Sequence, residues 1–224
     1  MNKLSKIVGV ICISSLGMIS SASADSSAFT GAYIGVSGSA MGVAIDGTHT
    51  STIGQATVSK GVVGAVEQTV GFEAGFSYPL SDMAFITVGA GLVPFSADIK
   101  ASSVTDGKDI KMATDDIISV FIEPSYNLTD NSAVFLKVGY SESEVAVTGT
   151  EVTNKVYDFD GTTIALGTKT IADNGLYIKT EAGFTEYSSI KVANILESDG
   201  TDFTASATAD IDVAYGKLVI GYKF

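Results

Sequence analysis

The chain has 224 residues, with 13 basic against 25 acidic side chains and a formal net charge of −12. Every basic residue is a lysine, so the basic surface of a nucleic-acid binder and the planar guanidinium fork that grips phosphate are both missing. Hydrophobic residues make up 46% of the chain and charged ones 17%, yet beyond residue 24 no apolar run approaches the roughly 18 residues of a helical membrane span.

The first residues read as an export signal. Lys3 and Lys6 make a positive start, Ile7 to Ile19 are mostly apolar, and Ala22-Ser23-Ala24 is a small-x-small cleavage site. We therefore expect residues 1–24 to be a signal peptide cleaved after Ala24, and 25–224 to form one β domain. The one cysteine, Cys12, lies inside the signal; Ile11 stands before it where a lipoprotein signal needs a small residue, so no lipid attachment is expected. The exported chain then has no thiol and no disulfide.

From there Gly, Thr, Ser and Val dominate and alternation with period 2 recurs, which predicts strands rather than helices. Eight are predicted: 31–43, 68–78, 83–99, 116–128, 132–147, 162–170, 175–190 and 205–224. Most exceed the roughly 9–11 residues that cross a bilayer at a tilt. Three connections are short: Pro79-Leu80-Ser81-Asp82, Leu128-Thr129-Asp130-Asn131 and Ile171-Ala172-Asp173-Asn174. The other four, at 44–67, 100–115, 148–161 and 191–204, are long and polar. Each long one holds an Asp-Gly pair (Asp46-Gly47, Asp106-Gly107, Asp160-Gly161, Asp199-Gly200), expected to be turns, because none has the ligand spacing of a calcium loop. Tight turns on one rim and long loops on the other predict an all-β, eight-stranded antiparallel up-and-down transmembrane β-barrel.

The last strand carries the most specific pattern. Counting back by twos from the end puts Phe224, Tyr222, Ile220 and Leu218 on one face and Lys223, Gly221, Val219 and Lys217 on the other. The first face suits lipid and the second a polar lumen. A terminal Phe preceded by alternating apolar residues resembles the assembly signal of outer-membrane barrels. With the export signal and the strand count, the chain looks like the small eight-stranded outer-membrane barrels. The nearest groups are the opacity-family adhesins and the membrane domain of outer-membrane protein A. The resemblance covers residues 30–224 by pattern. It implies an outer-membrane location, contact with lipid and lipopolysaccharide, delivery by the barrel-assembly machinery, and a monomer. The chain ends at the barrel, so the cell-wall-binding domain of full-length outer-membrane protein A is not expected.

Outward apolar residues fix which residues point inward. Between Val70, Phe72, Ala74 and Phe76 lies Glu73; beside Ile122 lies Glu123; among Val134, Leu136, Val138 and Tyr140 lies Lys137. Among Leu176, Ile178, Ala182 and Phe184 lie Lys179 and Glu181, and Lys217 points in from the last strand. An isolated charge in a narrow interior is costly, whereas a paired and hydrogen-bonded one is tolerated. These six charges are expected to form an ion-pair network that plugs the lumen together with Tyr177, Phe121, Phe135 and Tyr215. Glycines 35, 89 and 91 are expected to let neighbours pack across it.

Chemistry other than structure finds little to build on. His49, the only histidine, sits among Thr48, Thr50 and Ser51, where hydroxyl neighbours occur by chance and a flexible loop positions catalytic groups poorly. No catalytic residue, metal site or cofactor is expected. The expected function is a non-enzymatic envelope or surface-adhesion protein whose loops carry any specificity. A narrow pore for small solutes is the alternative, and a lipid-modifying enzyme a more distant one. The acidic loops could also hold divalent cations shared with lipopolysaccharide phosphates.

Overall fold

The computed structural model describes residues 26–51, 57–94, 97–102, 109–114, 116–149, 155–193 and 205–224. The expected signal segment lies outside them. Among the described residues a 3-10 turn, Ser26–Phe29, precedes strands β1 (Gly31–Ser51), β2 (Thr57–Ser81), β3 (Ala84–Val93), β4 (Ala97–Ser102), β5 (Asp109–Thr114) and β6 (Ile117–Thr129). There follow β7 (Ser132–Gly149), β8 (Lys155–Ile171), β9 (Leu176–Tyr187), β10 (Ile190–Ala193) and β11 (Ala205–Lys223).

Eight of these strands make the wall. β1, β2, β3, β6, β7, β8, β9 and β11 each pair antiparallel with two neighbours, and the β1–β11 ladder closes the ring. Closure follows from the alternation. Val70, Phe72 and Phe76 on β2, Ile118, Val120 and Ile122 on β6, and Ile164 and Leu166 on β8 are exposed, while their odd-numbered neighbours Glu73, Phe121 and Ala165 are buried. A sheet apolar on one face and polar on the other satisfies every backbone group in lipid only if it has no edge.

Several expectations need correction. The segments expected as long loops are partly β-ribbon. β1 and β2 stay paired out to Ser51 and Thr57, and β4 and β5 form a hairpin whose β5 pairs with β7 from Thr114↔Val145 to Ile110↔Gly149. In consequence Asp46-Gly47 lies within β1 and Asp160-Gly161 within β8, so neither is a turn; the pairs at 106–107 and 199–200 lie outside the described residues. The third predicted strand, 83–99, stops at Val93, because Pro94 cannot donate to a ladder. The sixth, expected from 162, begins at Lys155, and the seventh breaks between Tyr187 and Ile190.

The tight rim has short turns between Ser81 and Ala84, Thr129 and Ser132, and Ile171 and Leu176. In the last of these Gly175 adopts φ +83°, and its N–H donates to the Ala172 carbonyl at 2.9 Å. A side chain there would be strained by the backbone conformation alone.

The interior is filled by aromatic rings seated on glycines. Tyr33 stands directly opposite Gly75, Phe121 opposite Gly89, Phe135 opposite Gly167, Tyr215 opposite Gly183 and Tyr187 opposite Gly161. At each glycine an added Cβ would collide with that ring. An eight-stranded barrel has just enough width for side chains, and here the missing side chain on one strand is the space for the ring on the next.

Candidate functional site

Three tiers occupy the lumen. Nearest the tight rim is an apolar tier of Phe29, Phe85, Ala133 and Ile171. Towards the long-loop rim Val43, Phe159, Ile190, Ile211 and Val213 form another, against which Tyr187 packs; its ring stacks on Phe159 with centroids 4.1 Å apart. Between them lies a charged tier.

The charged tier is held by β2, β6, β7, β8, β9 and β11, each contributing inward positions of its alternation. Lys179 on β9 is at its centre, with no exposed surface, bonded to Glu73 and to Glu123 at 2.8 Å and lying 3.5 Å from Glu181. Lys137 on β7 reaches the same three carboxylates: Glu181 at 2.6 Å, Glu123 at 3.2 Å and Glu73 at 3.6 Å. Lys217 on β11 lies 2.8 Å from Glu73 and 3.5 Å from Glu181, and its side chain is the most exposed of the set. The Tyr33 hydroxyl donates to Glu73 at 3.0 Å and that of Tyr215 to Glu181 at 2.5 Å. The rings of Phe121 and Phe135 cover Lys137 and Lys179, with the Lys137 ammonium 4.1 Å from the Phe121 centroid.

Sequence reasoning missed Lys169. It lies on β8, 2.6 Å from Glu123 and bonded to Thr87 at 2.9 Å. Its signal is in the sequence: Ile164, Leu166 and Thr168 alternate outward, so 169 falls inward. With it the tier holds three glutamates and four lysines, a formal excess of one positive charge. Such a tier joins six strands across the barrel axis.

The outer surface is graded. Leu218, Ile220, Tyr222 and Phe224 are exposed on the outer face of β11, and Tyr78 and Tyr126 lie on the same face near the tight rim. Towards the other rim the outward positions turn acidic, and acids stand directly opposite acids: Glu142↔Asp160, Glu144↔Asp158, Glu186↔Asp212 and Asp46↔Asp210. Like charges so placed repel in a sheet. No group of three or more potential ligand residues fit to hold a metal ion occurs among the described residues. The backbone of His49 is paired with Ser59 and Ala207 in β1.

Solved structures match this architecture. The outer membrane protein OprG from Pseudomonas aeruginosa superposes with a TM-score of 0.52 at 16% identity, covering 87% of this chain and 96% of that one. The chain has the fold of the small outer-membrane β-barrels. The attachment invasion locus protein Ail of Yersinia pestis, solved with a heparin analogue, gives a TM-score of 0.41 at 9% identity, covering 81% of this chain and 98% of that one. The outer membrane protease OmpT of Escherichia coli gives 0.42 at 8%, covering 87% and 97%. No protein-family model and no curated protein matches the chain. The outer-membrane location fits the closed wall, the apolar outer band and the polar interior together.

Proposed function

We propose that this chain is a non-enzymatic envelope protein: a closed barrel that serves as a scaffold, with its projecting β-ribbons making the contacts outside the cell. The observation that supports this most is the charged tier. Seven ionisable side chains paired across the axis, between two apolar tiers, consume the interior that a pore or a catalytic cleft would need. The ribbons β1–β2 and β4–β5 extend beyond the closed wall, and loops on a rigid scaffold are where specificity is placed. Leu218, Ile220, Tyr222 and Phe224 would be the face read by the barrel-assembly machinery, and the finished barrel would sit among lipid and lipopolysaccharide as a monomer.

The test is expression in a non-adherent host whose outer membrane is poor in barrels. The expected result is a gain in surface attachment, with solute uptake and lipid composition unchanged. A gain in uptake of small solutes would establish the narrow pore instead. A change in lipid composition that His49→Ala reverses would establish an enzyme.

A further inference from the structure

We propose that the turn Ser26–Phe29 is a seated stopper that seals the tight-turn mouth of the barrel and keeps water from the charged tier. The proposal rests on the reading of the lumen as closed, and names the part that closes it on that side.

The turn is shaped to fit the mouth. Its own geometry is fixed by Thr30, whose N–H donates to the Ser27 carbonyl and whose hydroxyl donates to the Ser26 carbonyl, both at 3.2 Å. Gly31 then adopts φ +120°, a conformation closed to other residues, and there the chain swings from the mouth into β1; an added Cβ would lie 2.9 Å from the Phe224 carbonyl. The seat is the β2–β3 turn. The Ser26 N–H donates to the Asp82 carbonyl and its hydroxyl to the Ser81 carbonyl, each at 2.7 Å. The Asn127 amide also donates to the Asp82 carbonyl, at 3.5 Å, from the adjacent strand β6.

Phe29 is the sealing group. It is 4% exposed and stacks on the fully buried Phe85, with centroids 4.9 Å apart and planes within 8°. Ala133 and Ile171 complete the apolar tier. On the inner side the Phe85 ring lies 5.2 Å from the Lys169 ammonium, which is bonded to Thr87, itself 2.8 Å from Ser77. On the outer side is an open cleft of about 1000 Å³, with Ala28, Asp130, Asn131, Asp173 and Lys223 in its lining. One layer of rings therefore separates bulk water from the first buried ion pair, Lys169–Glu123.

The stopper is held more weakly than the wall it closes. The Ser26 seat bonds and the Phe29–Phe85 stack are among the contacts that secure it, and it takes part in no strand ladder, whereas each wall strand is held along two ladders. Elements outside the ladders open before the rest of a fold does.

Thiol labelling of Ser77→Cys, behind the stopper, tests this in folded protein extracted from membranes, using a small hydrophilic methanethiosulfonate. Asp173→Cys on the exposed turn is the reactive control, and protein without an introduced cysteine sets the background. With Phe29 in place Cys-substituted position 77 should react slowly. Adding Phe29→Ala should raise the rate on the order of ten- to a hundredfold, the change in open population expected when a buried ring is lost. Ser26→Pro, which removes both seat bonds and no interior ring, should act in the same direction if Phe29→Ala does not fold. Slow labelling in parent and variants alike would overturn the stopper while leaving the closed lumen intact. Fast labelling already in the parent would overturn both.

Discussion

Glu73→Gln should be among the most damaging isosteric substitutions in this barrel. The side chain is buried, and Lys179, Lys217 at 2.8 Å and Lys137 at 3.6 Å all converge on it, with the Tyr33 hydroxyl donating at 3.0 Å. Neutralising it leaves two carboxylates facing four ammonium groups, so the excess of positive charge rises from one to two. Removing one partner of a buried pair costs about 3–5 kcal/mol, because the other charge stays buried. For a domain of this size each kcal/mol shifts Tm by about 2–4 °C, so a fall of roughly 6–20 °C is expected. Lys217→Met should be milder, about 1–2 kcal/mol, because its side chain reaches solvent and its loss brings the tier to neutrality. The double variant should then lose less than the two single losses combined, by about 1–2 kcal/mol. The assay is unfolding in detergent micelles followed by circular dichroism and by the gel shift of heat-unfolded barrel. A Glu73→Gln variant within about 0.5 kcal/mol of the parent, or strict additivity in the double variant, would refute the charge accounting.

Three other outcomes follow from particular contacts. Gly89→Val puts a side chain where the Phe121 ring lies and should destabilise by about 1–3 kcal/mol; adding Phe121→Leu should restore part of it, as read by thermal melts. Glu186→Gln removes an acid directly opposite Asp212 and should stabilise by about 0.2–1 kcal/mol at neutral pH, a gain that should shrink in high salt. Phe224→Ser, changing an exposed residue at the end of the outer face, should lower the amount of barrel in the outer membrane while refolding into micelles proceeds unchanged. Equal loss in both would assign Phe224 to stability rather than to assembly.

Much of the fold was legible because a barrel wall obeys one rule along its whole length. Period-2 alternation assigns every residue of a strand to lipid or lumen, and counting by twos from Phe224 or Ile122 marks the lipid face and so leaves Lys217 and Glu123 facing inward, without knowledge of the partner strands. The rule is silent above the wall. The polar stretches 44–67 and 100–115 carry no sustained alternation in the sequence to separate ribbon from loop. Asp46-Gly47 and Asp160-Gly161 illustrate the cost of local rules: their chemistry favours turns, and the ladders of β1 and β8 override it. The pairing of glycines with rings is equally invisible in one dimension, since Gly89 and Phe121 meet only once β3 and β6 are in register. The same is true of Ser26–Phe29, whose role depends on Phe85 and on a mouth formed by strands from the whole chain.

Single-channel recording in a planar bilayer tests the account most directly. If charged and apolar tiers fill the lumen as described, the parent protein inserts without a steady open conductance over minutes at moderate voltage. A persistent ohmic pore in the parent, carried by barrel that is demonstrably folded, would contradict the packed interior on which the rest depends.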